Sequence, residues 1–200
     1  MNILISSNFK KHFNTHIDFV DHYWIRYFDL KKIDFFIIPN SKRVNLNLLL
    51  RKKLDLIILP GGNDLLEKNN LSKIRLKNEL NLISFGLKHN IPILGICRGM
   101  QVINYYFKGK QKKILKHMNT EHKVFFRYNF FKKKILKVNS YHNYSIPKKL
   151  LSKNLNAIAF DKDENVEFLN HKSKKIFGFM WHPERNKNYH QLDEILKKII

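Results

Sequence analysis

The chain predicts an α/β fold, with three layers around a doubly wound, mainly parallel sheet and a small antiparallel β addition. Two textures lead there. In the first half, short and continuously apolar runs alternate with helical stretches, the pattern of strands that helices cover on both faces. Past Lys110 the helical pattern stops and short β-rich runs follow one another.

Residues 3–6 read as the first strand and 16–28 as the helix after it. Residues 35–39 read as the next strand, 44–51 as a short helix and 56–59 as a third strand. A helix over about 71–88 follows, because its apolar residues recur at helical spacing. Residues 91–96 form a buried strand, and 98–107 the amphipathic helix that leaves it. The antiparallel portion takes 124–126, 134–138, 157–160, 166–169 and 176–181, and a helix over 189–200 closes the reading. No repeat, low-complexity segment or linker interrupts it, so residues 1–200 are expected to form one domain.

Composition bounds the function. One cysteine among 200 residues excludes an internal disulfide framework and fits a reducing, cytoplasmic setting. Residues 1–6 do not resemble a signal peptide, and no apolar run approaches the roughly 20 residues needed to span a bilayer. The formal charge of +22 would ordinarily suggest a polyanion partner. The lysines, however, are scattered among abundant Asn, Ile and Phe, as an AT-rich coding sequence would produce. The clusters at 108–116, 132–137 and 172–175 read as solvated faces. With no DNA- or RNA-binding motif beside them, nucleic acid is not the expected partner.

The chemistry centres on Gly95-Ile-Cys-Arg-Gly-Met-Gln101, where a buried strand meets a helix. A cysteine between two glycines at such a junction is the thiol version of the nucleophile elbow. The turn leaves no room for flanking side chains and aims the sulfur at a helix N-terminus, which favours a thiolate. Lone cysteines are more commonly inert core residues, but Gly95, Gly99 and Arg98 argue against that here. A base is offered far downstream, where a strand-like run ends in His182-Pro-Glu184. His182 can take the thiol proton, and Glu184 can fix its tautomer. Pro60-Gly61-Gly62 follows a strand, where two glycines let bare amides approach a ligand. An ordinary turn is the alternative for that segment, and a polar loop is the alternative for 139–142.

Together these segments resemble the class I glutamine amidotransferase-like superfamily, in particular its γ-glutamyl hydrolase branch (peptidase family C26). Four segments carry the resemblance in order: Leu56 to Asp64, Gly95 to Gln101, Val138-Asn-Ser-Tyr-His142 and Phe179-Met-Trp-His-Pro-Glu184. The resemblance implies a flavodoxin-like fold with Cys97 as nucleophile, His182 as general base and acid, and Glu184 orienting it. It implies an oxyanion site at Gly61, Gly62 and the Arg98 amide. Gln101, Asn139, Ser140 and His142 would line the glutamyl pocket. Neither a metal nor a cofactor is required. The chain is shorter than many members of the branch, so elements that cover the substrate are expected to be trimmed. Residues 140–146 and 163–182 look like the γ-glutamyl-CDP-amidate hydrolases that serve capsule phosphoramidate synthesis. A small γ-glutamyl substrate is the expected partner. With no synthetase domain or nucleotide-binding glycine loop to receive ammonia, hydrolysis is the expected outcome. A glutaminase component of a two-protein amidotransferase, with a synthetase partner, is the alternative. A polyanion-binding protein on a retired scaffold is a third reading, and homo-oligomerisation stays open.

Overall fold

The computed structural model describes residues 1–65, 67–114, 117–127, 130–131, 134–186 and 188–200. Strand β1 (Asn2–Ser6) leads into a hairpin of β2 (Asn8–His12) and β3 (Thr15–Phe19). Helix α1 (His22–Lys31) and β4 (Asp34–Ile38) follow, then a 3₁₀ turn at Leu46–Lys52, β5 (Leu56–Leu59) and the long α2 (Asn70–His89). Next come β6 (Ile93–Ile96), α3 (Arg98–Tyr106), β7 (Lys112–Lys113), β8 (Met118–Phe126), β9 (Ile135–Tyr141) and β10 (Tyr144–Ser145). The last elements are a 3₁₀ turn at Lys148–Leu150, β11 (Leu155–Phe160), β12 (Val166–His171), β13 (Ile176–Phe179), a 3₁₀ turn at Pro183–Arg185 and α4 (His190–Ile199).

Nine strands form one sheet in the order β4-β1-β5-β6-β13-β12-β11-β8-β9. From β4 to β13 every pairing is parallel, and from β13 to β9 every pairing is antiparallel. The parallel strands read as unbroken apolar runs because successive residues enter different cores. Ile3, Ile5, Leu56 and Ile58 pack with Trp24 and Phe28 of α1 and Leu192 and Ile195 of α4. Leu4, Ile57 and Leu59 pack with Leu82 and Ile83 of α2 and Val102 and Ile103 of α3. Helices therefore cover both faces, as expected for this fold class.

One element differs from the sequence expectation. Residues 16–28 are not a single helix, because Thr15–Phe19 pairs with β2 and the helix begins only at His22. Asp21 sets that start, its carboxylate accepting the Tyr23 N–H at 3.1 Å. Before it, Ile17 and Phe19 are half-buried between exposed neighbours, a period of two that only a strand satisfies. The segment at 44–51 is a 3₁₀ turn with no buried residue. Of the lysines read as solvated, Lys116, Lys132 and Lys133 lie outside the described residues, while Lys112, Lys113, Lys172, Lys174 and Lys175 are exposed. Among the described residues no helix is long and apolar enough to cross a membrane.

Candidate active site

Sheet register brings three distant segments to one edge. β13 pairs with β6 so that Phe179 stands beside Ile96, and β5 pairs with β6 so that Leu59 stands beside Gly95. Cys97, the Pro60-Gly61-Gly62 turn and His182 therefore leave the sheet together at the carboxyl ends of parallel strands, the place where open α/β sheets bind ligands. Each glycine of the elbow is required by a close approach. A Cβ at Gly99 would lie 1.9 Å from the Leu59 carbonyl oxygen, and one at Gly95 would lie 2.6 Å from the Gly99 backbone. Cys97 sits at φ 50°, ψ −103°, a sparsely populated conformation for a residue with a side chain. Its N–H donates to the Phe179 carbonyl at 2.7 Å, so the bend is pinned to β13.

His182 is buried at the start of the Pro183–Arg185 turn, whose proline occupies a first-turn position. Its Nδ1 lies 2.6 Å from Glu184 Oε1. A carboxylate only accepts, so with a neutral ring Nδ1 carries the proton and Nε2 presents a lone pair. That nitrogen faces Gly61: a Cβ built there would stand 3.3 Å from His182 Nε2 and 3.4 Å from Cys97 Cβ. Desolvation works against the charged ring, but the Coulombic pull of Glu184, aided by Cys97, outweighs it and lifts the His182 pKa to about 9. The arrangement can accept a proton from a thiol and return it to a leaving amine.

Three buried charges, two of them without any mark in the sequence, shape the edge. Arg75 and Glu79, one helical turn apart on α2, are fully enclosed and paired at 3.0 Å. Glu79 also pairs with Arg98, whose guanidinium therefore turns inward while its backbone opens α3. Arg75 Nη2 donates to the carbonyls of Pro60 at 3.2 Å and Gly61 at 3.1 Å. In a trans peptide the N–H points opposite to the carbonyl, so the amides of Gly61 and Gly62 face away from Arg75. Gly62 has φ 136°, and a Cβ there would strike Asn8 Oδ1 at 1.8 Å. With the first N–H groups of α3, which no helical carbonyl can reach, these amides are available to an oxyanion. An Arg and a Glu spaced i, i+4 normally suggest a solvated ion pair, and no sequence signal marks these two as buried.

The remaining predicted residues divide. Gln101 is buried beside the elbow, its amide donating to the Tyr144 carbonyl at 3.2 Å. Asn139 is committed to the acid–base arm: Oδ1 accepts the His182 N–H at 2.8 Å and Nδ2 donates to the His182 carbonyl at 2.9 Å. Ser140 is enclosed and donates to the His117 carbonyl at 2.6 Å. His142 is buried, with Nδ1 3.0 Å from the Tyr144 carbonyl. Burial and the neighbouring His117 push its pKa down to about 3. A cleft of about 840 Å³ opens at Gln101 and continues past Tyr105, Lys108 and Lys110. Gln111, also on its wall, has an amide nitrogen and oxygen that are buried without partners among the described residues.

Known proteins support the family on two grounds. The profile of the family described as glutamine amidotransferase class-I matches residues 16–199. A γ-glutamyl-CDP-amidate hydrolase from Campylobacter jejuni is 40% identical over 144 residues, covering 71% of this chain and 68% of the relative. The glutamine-hydrolyzing component of a GMP synthase from Methanococcus vannielii is 29% identical, covering 67% of this chain and 66% of the relative. In structure, a glutamine amidotransferase from Thermotoga maritima superposes with a TM-score of 0.70 at 20% identity, over 100% of this chain and 85% of that one. At that identity the likeness speaks for the fold alone. The sequence matches and the geometry at the sheet edge agree, and the chain belongs to the class I glutamine amidotransferase family.

Proposed function

We propose that this protein is a cysteine-dependent hydrolase that cleaves a γ-glutamyl amide bond and releases glutamate, acting as one glutamine amidotransferase type-1-like domain. The observation that carries the reading is the His182–Glu184 pair, whose free ring nitrogen faces Gly61 alongside Cys97. In this reading the Cys97 sulfur attacks the γ-carbonyl carbon while the amides of Gly61, Gly62 and Arg98 receive the oxyanion. His182 then gives its proton to the departing amine, and a water activated by the same ring frees glutamate from the thioester. The free thiol this needs fits the reducing cytoplasm.

The non-glutamyl half of the substrate would extend into the cleft beyond Gln101. Lys108, Lys110 and the unpartnered Gln111 amide suit a phosphorylated, hydrogen-bonding group. Together with the 40% identical hydrolase, this favours a γ-glutamyl nucleotide amidate of the kind used in capsule phosphoramidate synthesis. Glutamate release should therefore be measured with such an amidate, with γ-glutamyl-aminobutyrate and with glutamine. The amidate is expected to be cleaved at least about tenfold faster than the others, a modest discrimination for one extra set of polar contacts. Equal rates on all three would remove the amidate assignment, and no release from any would remove the hydrolase reading. The likeness to the glutamine-hydrolyzing component of a GMP synthase supports a second reading, as a glutaminase waiting for a synthetase. That reading predicts glutamine hydrolysis that rises when a partner is added.

Two variants test the chemistry. Imidazolium supplies the leaving-group proton, so kcat/KM is expected to fall as pH rises through about 9, where His182 deprotonates. Glu184 stabilises the charged ring, so Glu184→Gln should move that alkaline limb to lower pH; an unmoved limb would detach Glu184 from His182. In Gly61→Ala the added methyl would sit 2.5 Å from His182 Cε1. Displacing the ring on the order of 1 Å should lower kcat roughly a hundredfold, and wild-type kcat would show that the ring does not work beside Gly61.

A further inference from the structure

The catalytic reading leaves a second polar cluster unused, behind the acid–base arm on the antiparallel strands. His117, just before β8, His122 on β8 and Glu167 on β12 hold ligating atoms that all lie within 4.8 Å of one another. Glu167 is fully enclosed, yet neither carboxylate oxygen has a hydrogen-bond partner among the described residues. Its Oε2 is 3.3 Å from His122 Nε2, but the two are not aligned as donor and acceptor. His117 Nδ1 is likewise buried and unpartnered, while its Nε2 lies 4.0 Å from Asp161.

His142 sharpens the problem. A carbonyl only accepts, so the contact with the Tyr144 carbonyl places the proton of a neutral ring on Nδ1 and leaves a lone pair on Nε2. That lone pair stands 3.8 Å from Glu167 Oε1, which is also an acceptor. The three imidazoles crowd together, with His117 5.2 Å from His122 and 5.0 Å from His142 between ring centres. A protein interior does not normally gather lone pairs and a carboxylate without a positive centre to face them. Donor atoms on a tetrahedral zinc with bonds of about 2.0–2.1 Å are about 3.3–3.4 Å apart, which is the spacing of His122 Nε2 and Glu167 Oε2.

We infer that His117, His122 and Glu167 form a binding site for a divalent transition-metal ion of the zinc class, with His142 at its flank. Two imidazoles and a carboxylate suit a borderline ion, and the fourth position is left for water or His142. The hydrogen bond from His142 Nδ1 to a backbone carbonyl is the outer-shell contact that orients such a ring. The ion would tie β8 to β12. Its influence would reach the arm by a short path: Ser140 is bonded to the His117 carbonyl, and the adjacent Asn139 clamps His182. Its role is to hold that arm, since the family chemistry runs through the thiol. This site departs from the expectation, drawn from sequence, that no metal is present.

The test uses untagged full-length chain carrying Cys97→Ala, so that the thiol cannot capture metal. After treatment with a chelator, it is titrated with Zn²⁺ alone by calorimetry, and a Co²⁺-loaded sample is examined by absorption spectroscopy. We expect one equivalent of zinc bound with submicromolar Kd, a tetrahedral Co²⁺ spectrum and a raised Tm. Adding Glu167→Gln, or separately His117→Gln, should weaken binding by at least about tenfold. Far-ultraviolet circular dichroism of both variants reports whether they fold. If one variant does not fold, the other decides. Absence of stoichiometric zinc binding overturns the site, and so does binding that both substitutions leave unchanged.

Discussion

Cys97→Ala is expected to abolish glutamate release, lowering kcat/KM by roughly 10⁴-fold or more, the scale seen when a nucleophile acting as part of a unit is removed. The effect should be chemical and not a matter of folding. Alanine keeps a Cβ at the same φ of 50°, so it inherits the backbone conformation of the elbow without adding volume. The sulfur itself is nearly enclosed, between Gly61 and the carboxyl end of β13. The variant should therefore match wild type in Tm and in circular dichroism while still binding the γ-glutamyl substrate. Mass spectrometry should detect a glutamyl adduct on rapidly quenched wild type and none on the variant. Residual turnover within tenfold of wild type would mean that water, not sulfur, attacks the carbonyl.

The second large effect is on stability. Glu79 is the only carboxylate within reach of two enclosed guanidinium groups, Arg75 and Arg98, among the described residues. Glu79→Gln keeps its shape and removes its charge, leaving both cations without compensation. Breaking a buried pair in this way typically costs about 3–5 kcal/mol. For a chain of this size each kcal/mol corresponds to roughly 2–4 °C in Tm, so calorimetry should show a fall of roughly 6–20 °C. Because Arg75 also holds the carbonyls of Pro60 and Gly61, the surviving folded protein should have a lower kcat as well. A Tm within about 2 °C of wild type would show that the two arginines find compensation elsewhere.

The parallel half of the molecule was readable from sequence for a physical reason. Strands buried on both faces must be apolar at every position, and Leu56 to Leu59 and Ile93 to Ile96 carry that signal without help from context. The elbow was equally legible, because Gly95 and Gly99 are forced by backbone contacts that no other residue allows. The hairpin β2–β3 was not. Its lysines, histidines and Thr15 are mostly exposed, so only Ile17 and Phe19 carry the strand period, too few to outweigh the helical pattern beyond them. Buried polar residues were the other blind spot. Nothing in the spacing of Arg75 and Glu79 separates a surface ion pair from an enclosed one, and His117, His122 and Glu167 are scattered over three segments that only the sheet pairing assembles. Asn139 was picked out as facing substrate, but its amide holds His182, a role that depends on where two strand ends meet.

The backbone at Cys97 sets function against folding. A side chain at φ 50°, ψ −103° costs of order 1–3 kcal/mol. Glycine would be free of that strain and would give up roughly 0.5–1 kcal/mol in unfolded-chain entropy. The most stable sequence for this turn is therefore a dead enzyme. Any screen that rewards only thermal tolerance or soluble yield would drift toward replacing the nucleophile, and engineering of this scaffold has to select for turnover at every round.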